Sequence, residues 1–152
     1  MKTHFFLIAI LPLFIACSSS TNQKAAIIET PEAKSLVGYV ELTEPLDVAM
    51  IQKGTGIFTS KCAKCHTLDT VEFIVPAFAG VTNRRSPEWI MNMIINVDEM
   101  LKQDPVAADL LRRHKKEMPD PNLTVIETRS ILEFLRNNDL EQMGEKDLAA
   151  SK

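Results

Sequence analysis

The chain is poor in aromatic residues: seven Phe, one Tyr and one Trp among 152 residues, or 6%. A small domain with so few large rings has trouble building a stable core unaided, which favours a covalently held cofactor as part of its interior. A basic surplus is also missing. Beyond residue 16 the chain carries 16 basic against 20 acidic residues, a balance of -4, which argues against nucleic acid as a partner. No stretch sustains period-two alternation, so half-buried strands are not expected and the domain reads as all-α. No internal repeat is visible. Cysteine is scarce, with Cys17, Cys62 and Cys65 alone. With His66 and His114 as the helpful histidines, the chain has too few clustered ligands for a zinc site. The length suits one domain at most.

The N-terminus has an address but no membrane span. Residues 5–16 are an apolar run of twelve behind Lys2. That is short of the ~20 residues a transmembrane helix needs and right for a signal-peptide core. Small Ala16 then precedes Cys17. The arrangement resembles the lipobox of bacterial lipoproteins, with Phe14 where that family usually has leucine. The resemblance implies removal of residues 1–16, lipidation of Cys17 and attachment to the periplasmic side of a bacterial membrane through several acyl chains. Ser18, in place of an inner-membrane retention aspartate, leans the expectation toward the outer membrane.

Residues 17–44 read as the lipidated end and a flexible tether, containing Ser18-Ser19-Ser20-Thr21-Asn22-Gln23 and Pro31. Within it, Leu36-Val37-Gly38-Tyr39-Val40 is open to two readings: a short strand, or a segment packed on the domain. The domain itself spans 45–140, and 141–152 read as a polar, frayed tail. Pro45 precedes a first helix running to about residue 60. Ser86-Pro87-Glu88 opens a second, with serine as cap, proline in the first turn and an acid at the positive end of the dipole. Its inward face is Trp89, Ile90, Met93, Ile94 and Val97, and Met100 ends it. Asp104-Pro105 opens a third, with Val106, Leu110 and Leu111 inward and a basic end from Arg112 to Lys116. Thr124 with Glu127 forms a capping box for the last helix, whose apolar residues are Val125, Ile131, Leu132, Phe134 and Leu135.

Cys62-Ala63-Lys64-Cys65-His66 is the pattern C-x-x-C-H. Two thiols at this spacing can add across the two vinyl groups of haem, and the adjacent histidine then lies beneath the iron as a ligand. A thioredoxin-type dithiol expects a βαβ context, which is absent. A structural disulfide leaves the histidine unexplained. Export agrees with haem attachment, since in bacteria c-type attachment takes place outside the cytoplasm.

From here the chain resembles the class I cytochromes c, over roughly residues 45–140. Gly54-x-x-x-Phe58-x-x-x-Cys62 is similar to that family's first helix, where glycine lets the first and last helices cross closely and an aromatic from each, here Phe58 and Phe134, packs beside the crossing. The resemblance implies about four to five helices around one covalent haem c. It implies that Pro76 accepts a hydrogen bond from His66 through its carbonyl, although Val75 stands where the family often has glycine. Residues Ala77-Phe78-Ala79-Gly80 are then expected to complete the pocket wall. Met118, followed by Pro119, Asp120 and Pro121 before the last helix, occupies the place of the family's ligating methionine, so His66 and Met118 are the expected iron ligands. Met100 is a weaker candidate. Met91 and Met93 read as core packing, Met143 lies in the tail, and His114 reads as a solvated residue at a basic helix end. Trp89, Arg84 and Arg85 are equally readable as donors to haem propionates or as core and surface residues.

The expected function is outer-sphere electron transfer between redox proteins, a donor and an acceptor, by a monomer that is not itself an enzyme. Lys61 and Lys64 flank the attachment site and can steer an acidic partner. The run Arg84-Arg85-Ser86-Pro87-Glu88-Trp89-Ile90 resembles periplasmic lipoprotein cytochromes that include members linked to respiratory chains and nitrous oxide reduction. Two alternatives remain: a haem subunit of a redox enzyme such as a peroxidase component, and a haem-based sensor of small ligands.

Overall fold

Helix ends are set by side chains that satisfy the first free N–H groups. In the computed structural model, which describes residues 36–72 and 74–144, Asp47 accepts from the Met50 N–H and starts α1 (Val48–Ile57). A π-turn over Phe58–Cys62 continues it. The short α2 (Val81–Arg84) begins at Gly80, whose φ of 72° is a left-handed conformation that suits glycine. Ser86 caps α3 (Pro87–Ile95), Asp104 caps α5 (Pro105–His114) through the Val106 and Ala107 N–H groups, and the Thr124–Glu127 capping box opens α6 (Val125–Met143). These three starts are where the sequence places them.

The expected second helix is divided. It stops at Ile95, and α4 (Val97–Gln103) begins after Asn96, whose φ of -127° is not helical and whose side-chain amide donates to Asn92 Oδ1. A local side-chain bond of this kind competes with the helical ladder. The result is six α-helices and no strand among the described residues, against the four to five expected. α6 also runs through Met143, so residues 141–143 are helical rather than frayed. Residues 1–35 and 145–152, with the expected leader, Cys17 and the end of the tail, lie outside the described residues.

α1 and α6 cross at Gly54. A Cβ there would lie 2.1 Å from the Ser130 carbonyl oxygen and 2.7 Å from Phe134 Cβ, so only hydrogen fits between the two backbones. Phe58 and Phe134 pack beside the crossing with ring centroids 5.2 Å apart. Ile90, Ile94 and Ile95 of α3 and Ile131, Leu132 and Leu135 of α6 fill the core next to them. Val125, one of the apolar residues of the last helix, is exposed in the first turn of α6.

Residues 36–44 are a strap bonded to the domain, which corrects the tether boundary and settles the reading of 36–40 in favour of packing. The Val37 N–H donates to Asn92 Oδ1 at 2.8 Å, and Asn92 Nδ2 donates back to the Val37 carbonyl at 2.9 Å. The Val40 N–H donates to Glu88 at 2.9 Å. Arg136, fully buried, donates to the Thr43 carbonyl and to Glu44. Glu133, also fully buried, accepts from the Asp47 N–H and from Arg129 and Arg136. An extended segment has no ladder of its own, and here its backbone groups are satisfied by side chains of α3 and α6.

Candidate functional site

The π-turn ends at Cys62 and the chain tightens immediately. The Cys65 and His66 N–H groups both donate to the Cys62 carbonyl, at 3.1 and 3.0 Å. This turn brings Cys62, Cys65 and His66 to the wall of one cavity of about 480 Å³. The volume is within the roughly 300–1,000 Å³ usual for cofactor pockets. Met118 lines it from the opposite side of the sequence, and Val75, Pro76 and Ala77 are also in its wall.

The His66 ring is fixed on two sides. Its Nδ1 lies 2.9 Å from the Pro76 carbonyl, which can only accept, so Nδ1 carries the proton and the Nε2 lone pair is left for a guest. Its face stacks on Phe78 at 4.2 Å and 14°. Burial holds the imidazole below its ordinary value of 6.5, against the opposing pull of the Pro76 hydrogen bond and with a smaller push from His114. The neutral, ligating form is therefore favoured. The Cys62 thiol is pushed above its ordinary value of 9.0 by burial, only partly offset by Lys61. A redox dithiol needs the reverse, a depressed thiol.

The loop joining His66 to α2 is held from α6. Asn138 Nδ2 donates to the Leu68 carbonyl at 3.1 Å. Buried Asp139 accepts from the Gly80 N–H, the Thr82 N–H and the Thr82 hydroxyl at 2.7, 2.8 and 2.7 Å. Within the loop the Phe78 N–H donates to the Thr67 carbonyl and the Ala79 N–H to the Asp69 carbonyl. Val75, where glycine was the familiar residue, is accommodated and buried. The carbonyl of Pro76 is thus set by α6, with four helices intervening in sequence.

Trp89 and Arg84 line the same cavity. Arg84 Nη1 donates to the Ala79 carbonyl, and the Arg85 guanidinium lies 5.1 Å from the Trp89 ring centroid. The Trp89 indole N–H is buried and meets no acceptor among the described residues. A buried donor of this kind needs an acceptor, and the carboxylates of haem supply one. Two thiols, one uncommitted imidazole nitrogen, a largely apolar wall and this orphaned donor fit a c-type haem.

The remaining candidates separate. Met93 lines the cavity rather than filling closed core, while Met91 is buried beneath the strap and Met100 is buried away from the cavity wall. Met143 is exposed. His114 departs from the solvated reading: its side chain is 13% exposed, it lines the cavity, and its Nε2 makes no hydrogen bond. The Glu72 carboxylate lies 4.0 Å from that nitrogen. The signal was present in the spacing, since His114 follows inward-facing Leu110 by four and Leu111 by three, which puts all three on one helix face. Lys64 is exposed, and Lys61 donates to the Pro121 carbonyl at 3.0 Å. Among the described residues no three His, Cys, Asp or Glu side chains are grouped to hold a metal ion, and no helix is long and apolar enough to cross a membrane.

Comparison with known proteins agrees with this geometry. A family model described as cytochrome c matches residues 51–139. Cytochrome c from Rhodothermus marinus is similar in structure, with a TM-score of 0.69 and 38% identity over 71% of this chain and 92% of its own. An engineered form of it, bound to a carbene intermediate, gives a TM-score of 0.64 and 37% identity over 69% and 90%. The cytochrome c domain of a Pseudomonas putida protein gives 0.50 and 28% over 57% and 87%. No curated protein matches the chain.

Proposed function

Because this chain belongs to the cytochrome c family, and is thereby a carrier of electrons on a covalent haem c, we propose that Cys62 and Cys65 form its thioether links and that His66 and Met118 fill the axial positions of its iron. The observation that carries this is the convergence of those four side chains on one cavity, with His66 already committed through Nδ1 to Pro76. When bound, haem supplies a one-electron iron couple.

The protein's part is positional. The Pro76 carbonyl orients His66 and raises its basicity. Met118, on a segment stiffened by Pro119 and Pro121, offers a thioether that favours the reduced iron. With His66 and Met118 both holding it, the iron would change charge with little change in its surroundings. The Trp89 N–H would donate to a haem propionate. The apolar wall keeps water from the iron and leaves electron exchange as the chemistry on offer.

The carrier works outside the cytoplasm, anchored by acyl chains on Cys17 after loss of residues 1–16, on the periplasmic side of a bacterial membrane, with the outer membrane favoured. It passes single electrons between larger redox proteins, with a terminal reductase, such as one for nitrous oxide, as a suitable acceptor. Lys64 at the attachment site steers an acidic partner.

One preparation from a haem-attaching host tests the central reading. The mass should include one haem, colour should survive acidified acetone, and the oxidised form should show the near-infrared sulfur-to-iron charge-transfer band. Film voltammetry should give a single reversible one-electron wave. Haem that washes out, or a missing band, refutes the ligand set. Cys17→Ser should move the protein from the membrane to the soluble fraction, and an unchanged distribution refutes the anchor.

A further inference from the structure

His114 ends α5, and Lys115 after it adopts a left-handed conformation with φ of 51° that turns the chain into the irregular stretch carrying Met118. Both side chains line the same cavity, four residues apart on one segment. Among the described residues, His114 Nε2 is one of two buried side-chain polar atoms that meet no hydrogen-bond partner, Trp89 Nε1 being the other. The indole nitrogen can only donate. The imidazole nitrogen can also carry a lone pair, and neutral imidazole is a good ligand for iron.

We propose that His114 is a reserve axial ligand: when the Met118 sulfur leaves the iron, the His114 imidazole takes the sixth position. The inference rests on the reading of Met118 as resident ligand. The exchange replaces an iron–sulfur bond by an iron–nitrogen bond made with the Nε2 lone pair, Nδ1 keeping its proton, and no electrons are transferred. Glu72, more than half exposed, lies 4.0 Å from Nε2, which is beyond hydrogen-bond reach. His114 is therefore not held by a partner it must first give up. Met93 and Lys116 are other ligand-capable side chains in the wall, but Met93 sits within α3 and Lys116 is exposed, whereas the His114 side chain is 13% exposed and its Nε2 meets no hydrogen-bond partner among the described residues.

The consequence is a haem that stays six-coordinate after losing its methionine. Imidazole favours the oxidised iron more than thioether does, so the change lowers the reduction potential and keeps the iron closed to small ligands. The holoprotein variants Met118→Ala, Met118→Leu, His114→Ala and the double variant His114→Ala with Met118→Leu test this. Met118→Leu keeps the apolar bulk in case the alanine variant fails to fold. Expected for the single Met118 variants are loss of the sulfur-to-iron band, a low-spin bis-imidazole spectrum, slow carbon monoxide binding and a downward shift in potential. The double variant should become high-spin and bind carbon monoxide rapidly. High-spin spectra already in both single Met118 variants would overturn the reserve role and leave Met118 as ligand. A low-spin double variant would also overturn it, assigning the sixth position to Met93 or another group. Loss of the sulfur-to-iron band in His114→Ala alone would overturn the Met118 assignment itself.

Discussion

Replacing Gly54 by alanine should unfold the crossing of α1 and α6, while the same change two residues on should do the opposite. Both glycines lie inside α1. An alanine in an exposed helix interior is worth ~1 kcal/mol more than glycine. At Gly56 a new Cβ meets nothing within 4 Å, so Gly56→Ala should collect most of that gain, about 0.5–1 kcal/mol. At Gly54 the new Cβ would stand 2.1 Å from Ser130 O and 2.8 Å from Ser130 C, both backbone atoms of α6. Restoring an ordinary contact requires the helices to part by about 1 Å, because close-packed backbone offers no rotamer to give way.

Overpacking alone costs ~1–3 kcal/mol. A retreat of about 1 Å also forfeits a quarter to a half of the dispersion well at neighbouring contacts along the crossing, including those of Phe58 and Phe134. Set against the propensity gain, the net is a loss of about 3 kcal/mol, a large part of a domain's stability of roughly 5–15 kcal/mol. At roughly 4–8 °C per kcal/mol for a domain near 100 residues, Gly54→Ala should lower Tm by about 15 °C and Gly56→Ala should raise it by about 4 °C. Thermal and guanidinium unfolding of the holoproteins, followed by far-ultraviolet circular dichroism, measure both. Since the turn bearing Cys62 continues α1 directly, the yield of covalent haem should also fall in Gly54→Ala. If the two variants shift Tm in the same direction, the steric reasoning fails.

Asp139→Asn should destabilise by about 3 kcal/mol, because an amide cannot accept from Gly80, Thr82 and the Thr82 hydroxyl together. Hydrogen exchange at the Gly80 and Thr82 amides should quicken, and unchanged protection would refute that anchoring. Asn92→Ala removes both bonds to the Val37 backbone and should release residues 36–40, at about 1–3 kcal/mol. Exchange that remains slow at Val37 would show that the strap is held otherwise. Burial alone would raise the Glu133 carboxyl, but the Arg129 and Asp47 N–H bonds, with the charges of Arg129 and Arg136, hold it below the ordinary 4.5. Its stabilisation is thus complete above that value and is lost as pH falls through the lower folded value. Glu133→Gln should weaken the protein at neutral pH by roughly 3–5 kcal/mol and flatten its loss of stability below about pH 4.5. An acid limb as steep as in the parent would refute the linkage.

Helix starts were legible because a cap is a local event: Ser86, Asp104 and Thr124 act on N–H groups two or three residues away. The attachment turn was legible for the same reason, since Cys62, Cys65 and His66 are tied through one carbonyl. The position of Met118 on the cavity wall agrees with what the family resemblance implied for a methionine before the last helix. The break at Asn96 was not legible, because Asn92 and Asn96 have ordinary helical spacing until one side chain bonds the other. The strap was illegible for a deeper reason. An extended segment shows no periodicity of its own, and the groups that hold it, Glu88, Asn92, Arg129, Glu133 and Arg136, read as the polar side of amphipathic helices.

That last failure explains how α6 works. A surface helix shows one apolar stripe, but in α6 Thr128, Glu133, Arg136, Asn138 and Asp139 are buried along with Ile131, Leu132 and Leu135. The apolar residues meet α1, α3 and the cavity, while the polar ones take up backbone that has no secondary structure: the strap through Glu133 and Arg136, the haem-side loop through Asn138 and Asp139. The cost of burying Glu133, Arg136, Asn138 and Asp139 is offset because each meets a backbone partner outside α6 that would otherwise be unsatisfied. A hydrophobic α6 of the same shape would keep the helix crossings yet leave the Pro76 carbonyl without a fixed position, and with it the orientation of His66. Stability and ligand geometry therefore depend on the same polar side chains, so Asp139→Asn, remote from the iron in sequence, should disturb the His66 ligand field as well as the fold.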